Sequence, residues 1–302
     1  MERNISIIWD FDKTLTPDCS TTKTVNILTK RLGPSPKVFW DNIKALRGDK
    51  KKPKWKHILA SDAPIWMYSL SMIATNQNLL LNKSFFNRAV VEYISLYSGV
   101  EVFLKKLKDL KNLKRFKKEK LNISHFIVSA GLKDLIEQCF KPSLIDMTFG
   151  CRYATDVEVS GDKKIFNNIP VFCMDETMKT RSIFEISKGS FKDPSKSVNA
   201  RVDKQKMWSP FENMIYVGDG PTDIPALSLI RDRGGVGVAV YNKSDSNEDI
   251  KKNLKDLSSG RRADLITPAD YSLNGELYKF IESRCFQILQ RYEAENINRL
   301  VR

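Results

Sequence analysis

Residues 7 to 18 read IIWDFDKTLTPD, an apolar run that ends in two carboxylates, Asp10 and Asp12, one residue apart. Ile5 to Trp9 has the length of a first core strand and falls far short of the ~20 residues of a membrane span. In a plain strand, alternation places the side chains of Asp10 and Asp12 on one face, where like charges repel. A chain that ends a core strand in this way needs something to offset the repulsion. A bound cation is the obvious candidate.

The rest of the composition narrows which cation. Only two histidines occur, His57 and His125, so a His-rich zinc site is excluded and any ligands are oxygens. Oxygen ligands select a hard ion such as Mg²⁺. Five cysteines, an odd number with no CxxC pair, argue against a disulfide framework and for a reducing compartment, so a cytoplasmic location is expected. The N-terminus lacks the features of a signal peptide, and no membrane partner is expected. With 302 residues, 41% of them hydrophobic, the chain can bury a sizeable core.

Half of the net charge of +14 sits on residues 105 to 120, KKLKDLKNLKRFKKEK. Phe103, Leu107, Leu110, Leu113 and Phe116 recur at intervals of three or four, which predicts one basic amphipathic helix over 102–120 with those residues buried. Its lysines read first as a solvated face. Binding of nucleic acid through this helix is an alternative that is not favoured, because aromatic interleaving for base stacking is slight.

Along the chain, residues 20 to 98 read as mostly helical, with helices in STTKTVNILTKRLG, PSPKVFWDNIKALRGD, APIWMYSLSMIATNQNLLL and SFFNRAVVEYISLY. KKPKW reads as a linker. HFIVS then predicts a strand stopped by the turn Ser129-Ala130-Gly131, with a helix in LKDLIEQCF behind it. Short β-like runs follow over 145–174, a helix in ETMKTRSIFEISKG, a surface loop over 190–210, and a strand and glycine turn in NMIYVGDG. The helix PTDIPALSLIRD, the strands GVGVAV and ADLITP, and a long last helix from about Asn274 complete the pattern. Gly234, Gly235 and Gly237 read as turn residues; they precede a strand, so they give no dinucleotide fingerprint. Alternating strand and helix predicts an α/β fold with a parallel sheet covered on both faces. There is no internal repeat or low-complexity tract.

Asp10 and Asp12, Ser129-Ala130-Gly131, Lys179 at the start of a helix, and GDGPTD with Asp219 and Asp223 each follow a strand or open a helix. In an open parallel sheet these stretches converge beyond the carboxyl ends of the strands. The combination DxDxT at 10–14, the Ser-Ala-Gly turn, a helix-initial lysine and GDGxxD at 218–223 resembles the haloacid dehalogenase (HAD) superfamily of hydrolases, and within it the phosphoserine-phosphatase-like members.

That resemblance implies a Rossmann-like core over 1–16 and 96–302 and a mostly helical cap over 17–95, inserted after the first motif. It implies Asp10 as the nucleophile that forms an aspartyl-phosphate and Asp12 as general acid and base. Mg²⁺ would be held by Asp10, Asp12 (through its backbone carbonyl) and Asp219, with Asp223 as an additional acid. Ser129, Ala130, Gly131 and Lys179 would bind the substrate phosphate; Lys179 is preferred over Lys188, Lys204 and Lys206. Asp10, with an ordinary carboxylate pKa, would be ionised at neutral pH without a base. The expected activity is Mg²⁺-dependent hydrolysis of a small phosphorylated metabolite. A phosphotransferase or phosphomutase using the same residues stays open, as does a nucleic-acid-binding protein or a phosphatase of nucleic-acid ends. The substrate and the oligomeric state are not readable.

Overall fold

The structure, a computed structural model, describes residues 3–30, 33–49, 51–52, 60–89, 93–155, 157–158, 164–165, 168–193, 195–248, 250–251, 255 and 262–300. Its strands are β1 (Arg3–Trp9), β2 (Leu121–Leu132), β3 (Met147–Ala154), β4 (Val157–Glu158), β5 (Lys164–Ile165), β6 (Ile169–Phe172), β7 (Met214–Gly218), β8 (Val236–Tyr241) and β9 (Leu265–Pro268). Seven of them form one sheet in the order β6-β3-β2-β1-β7-β8-β9. All pairs are parallel except the edge pair β3–β6. β4 and β5 form a separate antiparallel pair.

The central strands are apolar on both faces because helices cover both. In β1 every residue after Arg3 is buried, and β7 is buried throughout. Helices α1 (Ser20–Thr29), α2 (Pro36–Arg47), α3 (Asp62–Asn76) and α4 (Lys83–Ala89) are inserted between β1 and the rest of the sheet. The fold is thus a Rossmann-like core with a helical insert after its first strand. α5 (Val100–Asp109), α6 (Lys114–Lys118), α7 (Lys133–Gln138), α8 (Glu176–Lys188), α9 (Ile224–Asp232) and α10 (Glu276–Leu300) belong to the core. KKPKW falls largely outside the described residues, as does Trp55 of the insert.

The insert is fastened to the sheet edge by Asn168, a buried residue just before β6. Its side-chain amide donates to Thr75 Oγ1 (3.2 Å) and Leu79 O (2.8 Å), and its Oδ1 accepts from Leu81 N (2.6 Å). Its backbone carbonyl accepts from Ser71 Oγ. Tyr153 of β3 adds a bond from its hydroxyl to Met67 O in α3 (2.7 Å).

Four expectations are corrected. The basic segment is not one helix: α5 ends at Asp109, a 3₁₀ turn spans Leu110–Asn112, and Leu113 is extended (φ −64, ψ 141) before α6. The break lets Phe116 pack edge-on against Phe286 of α10 (5.4 Å between centroids), and it leaves Leu113 45% exposed where the helical period had it buried. The helix expected over SFFNRAVVEYISLY stops within the described residues at Ala89. By Tyr97 the backbone has left helical geometry, and Tyr97 N donates to Leu15 O (3.0 Å).

Ser129-Ala130-Gly131 is not a turn outside the strand. β2 runs through it to Leu132, with an irregularity in its pairing to β3 after Val128. Gly237, read as a turn residue, lies inside β8, where a Cβ would come within 2.8 Å of Leu227.

Candidate active site

The register of the sheet assembles the site. Trp9 is level with Ile127 on β2 and with Val217 on β7. Asp10, the next residue, therefore leaves β1 between the carboxyl ends of its two neighbours, and its N–H donates to Val217 O (2.8 Å). The side chain is 5% exposed. Its Oδ1 accepts from Phe11 N (2.7 Å) and its Oδ2 lies 2.9 Å from Lys179 Nζ.

Lys179 comes from α8, whose start is set by Asp175, a side-chain cap that accepts from Met178 N (2.7 Å). It is 1% exposed and bridges two acids, with Nζ 2.6 Å from Asp223 Oδ1. Burial opposes its charge, but Asp10 and Asp223 outweigh burial and hold the ammonium above its usual range. The other lysines weighed for this role are elsewhere. Lys188 donates to the carbonyls of Val198 and Ala200, Lys204 pairs with Glu212, and Lys206 pairs with Asp203.

Asp223 is completely buried and accepts four hydrogen bonds. Lys179 and the Tyr216 hydroxyl (2.7 Å) share Oδ1, while the N–H groups of Asp219 (3.2 Å) and Gly220 (3.3 Å) share Oδ2. Counted in the sequence among the metal ligands, it sits here as the anchor of the lysine. Gly218 makes this possible, because a Cβ there would lie 2.4 Å from Asp223 Oδ2. Gly220 is different: its backbone is extended and nothing lies within 4 Å of a Cβ, so the expectation of a turn that demands glycine fails there.

Asp219 follows β7. Among the described residues its carboxylate accepts no hydrogen bond, and one of its oxygens, with one each from Asp10 and Asp223, forms a group within 4.8 Å of one another. Burial, then Asp223 and Asp10, push its pKa well above the usual carboxylate range. Three acids share one lysine, so the cluster lacks positive charge. The all-oxygen donor set of the cluster fits a hard cation.

Burial also raises Asp10 to about 7, with Lys179 opposing and Asp223 reinforcing the rise. This corrects the expectation of an ordinary pKa. The carboxylate depends on neighbouring positive charge to stay ionised.

Asp12 points to the insert. Half-buried, it accepts from Ser20 N at the start of α1 (2.9 Å), and burial raises its pKa. Ser129 lies buried on β2, its Oγ accepting from Gly131 N (3.1 Å), and Ala130 O accepts from Cys151 Sγ (3.3 Å). The Gly131 face packs on Ser20, whose Oγ is 3.0 Å from a Cβ built at Gly131. The first insert helix thus touches both the second acid and the Ser-Ala-Gly segment.

Tyr216 and Ser20 were missed in the sequence. Tyr216 carries a signal in retrospect: two residues before Gly218 on the same strand, it faces the same side.

No family model matches the chain. An uncharacterised protein of Borreliella burgdorferi is 26% identical over 303 residues, which cover 95% of this chain and 99% of that protein. Among solved structures, a protein of unknown function from Bordetella pertussis Tohama I is 12% identical, with 88% of this chain and 99% of that one covered and a TM-score of 0.50. A substrate-bound phosphoserine phosphatase is 16% identical, with coverage of 93% and 99% and a TM-score of 0.49. The architecture is HAD-like: a parallel sheet with DxDxT after its central strand, GDGxxD after the adjacent one, and a helical insert behind the first motif.

Proposed function

We propose that the protein is a HAD-type phosphomonoester hydrolase that acts on a small phosphorylated metabolite in the cytoplasm through an aspartyl-phosphate on Asp10. The observation that carries this reading is the Asp10–Lys179–Asp223 chain beside a donor-free Asp219. Helices α1–α4 act as the cap, since Ser20 reaches Asp12 and Gly131.

An oxygen of Asp10 attacks phosphorus, and the bond from phosphorus to the ester oxygen breaks. Asp12, its pKa raised, gives that leaving oxygen a proton. Water then attacks the acyl-phosphate, Asp12 takes a proton from it, and inorganic phosphate leaves with Asp10 restored. Lys179 neutralises charge on Asp10 and on the transferring group, while Ser129 and the N–H groups near it hold phosphate oxygens. Asp10, Asp219 and the Asp12 carbonyl would hold Mg²⁺, which would supply charge neutralisation for the attack.

The test is phosphate release from a panel of phosphorylated metabolites, with Mg²⁺ and after chelation. A hydroxylamine-sensitive phosphoenzyme is expected in the wild type and absent in Asp10→Asn. Label on Ser129, or undiminished turnover after exhaustive chelation, defeats the mechanism.

A further inference from the structure

The segment from α5 through α6 to the start of β2 carries six exposed lysines: Lys105, Lys106, Lys114, Lys117, Lys118 and Lys120. None of them makes an ion pair among the described residues, whereas Lys108 is occupied by Asp146 and Arg115 by Glu293. Of the two acids over 105–120, Glu119 is buried against Arg3, so Asp109 alone is exposed. Lys114 and Lys118 stand four apart on α6, a like-charge spacing that weakens a helix. The segment is held to the core without them, by the buried Phe103, Leu107 and Phe116. A face that carries such repulsion is complementary to an extended anion.

The apolar side chains on this face select the anion. The break after the 3₁₀ turn leaves Leu113 in extended backbone and exposed, between Lys111 and Lys114. Val102, also exposed, stands three and four residues before Lys105 and Lys106 on α5 and so shares their side of the helix. At the far end of α6, Asn296 of α10 donates to Glu119, which lies between Lys118 and Lys120, and the next residue, Ile297, is exposed. The phosphates of a nucleic-acid duplex would use the lysines and leave these three apolar side chains in water. An anionic lipid surface uses both, with lysines among the head groups and apolar side chains at the acyl boundary. We infer that this face docks the protein on an anionic lipid surface.

The expectation of no membrane partner came from the lack of a targeting or spanning segment, and docking on a membrane face needs neither. The position of the face fits such docking. Arg3 N donates to Lys120 O (3.0 Å), so the basic segment meets the sheet at the amino ends of β1 and β2. Asp10 follows the carboxyl end of β1, about 20 Å further along at the rise of a strand. A docked molecule therefore keeps the Asp10 site away from the lipid and open to soluble substrate. The inference does not rest on the activity proposed above.

The experiment is sedimentation of the full chain with vesicles of pure phosphatidylglycerol and, as the uncharged control, of pure phosphatidylcholine. Binding is expected to the first and not the second, and to weaken as salt rises. One lysine near an anionic surface is worth about 5-fold, so the triple variant Lys114→Gln, Lys117→Gln, Lys118→Gln should lower the partition coefficient by about 100-fold. Lys105→Gln with Lys106→Gln, on the other helix, should lower it by about 25-fold on the same scale. Leu113→Ser keeps the charge and should lower it by about 5-fold through the lost apolar contact. All of these side chains are exposed, and the melting temperatures should stay at the wild-type value. No binding to phosphatidylglycerol, or equal binding to both lipids, overturns the inference. So does wild-type partitioning in either lysine variant or in Leu113→Ser. Tighter binding to duplex DNA than to the vesicles, dependent on the same lysines and indifferent to Leu113, overturns it in favour of nucleic acid.

Discussion

Lys179 lies closer to Asp223 than to the acid it is expected to assist, at 2.6 Å against 2.9 Å. The ammonium is thus held from behind by an acid with no exposure to solvent, and Asp10 meets it already in place. Such preorganisation is what makes a charge effective in a transition state.

The first prediction separates anchor from reactant. Asp223→Asn keeps the shape and removes one partner of a buried pair, a change that typically costs about 3–5 kcal/mol. Tyr216→Phe removes one neutral donor and is expected to cost about 1 kcal/mol. Urea unfolding of both variants gives the comparison; equal stability of Asp223→Asn and wild type contradicts the anchor.

Lys179→Ala should lower kcat by about 10²–10³-fold, the usual loss for one donor aimed at developing charge. Lys204→Ala and Lys206→Ala, which break exposed pairs, should stay within a few fold. Lys188→Ala should act on stability alone, through the two carbonyls it holds. A defect in Lys204→Ala equal to that of Lys179→Ala would move the phosphate lysine to the loop before β7.

Two glycines of one motif should behave in opposite ways. Gly218→Ala forces a Cβ against Asp223 and should lose both turnover and melting temperature. Gly220→Ala meets open space and an extended backbone and should be close to wild type. Thermal melts and turnover of the two proteins decide it; a tolerated Gly218→Ala shows that Asp223 has room to yield.

How much of this was legible depended on sequence distance. Asp10 and Asp219 could be read because they come at or just past the end of an apolar run, with Asp12 and Asp223 two and four residues further on, so a local pattern placed all four at or just past strand ends. Lys179 could be placed only on a helix; that it reaches Asp10 is a contact across 169 residues, which no period encodes. The break at Leu113 was hidden for the same reason, since the packing of Phe116 on Phe286 overrides a pattern that is helical on its own. The raised pKa of Asp10 comes from burial by the assembled core. Charge spacing along the chain could not show it.

His125 supplies a prediction on pH. Trp9 Nε1 donates to its Nδ1 (3.1 Å), so the other nitrogen carries the proton and donates to Leu104 O (2.9 Å). Burial is the main cause that lowers its pKa from 6.5 to about 4, with Lys108 and Lys111 adding to the fall and the Leu104 bond and Asp146 opposing it. The unfolded chain therefore takes up the proton first. Stability from this group is complete above pH 6.5, declines as pH falls towards 4, and levels off below. The full loss is of order 3 kcal/mol. His125→Gln should show a shallower fall in unfolding free energy than wild type over that window, and parallel curves would refute the assignment.

The bonds gathered on Asn168 have a mechanical consequence. Sliding α3 along the β6 edge would strand several buried polar groups at once, whereas a small rotation about Asn168 disturbs none of them much. The insert is therefore held against shear along this edge by one side chain that satisfies several partners together. Amide exchange at Leu81, whose N–H is bonded to that side chain, should accordingly become faster in Asn168→Ala.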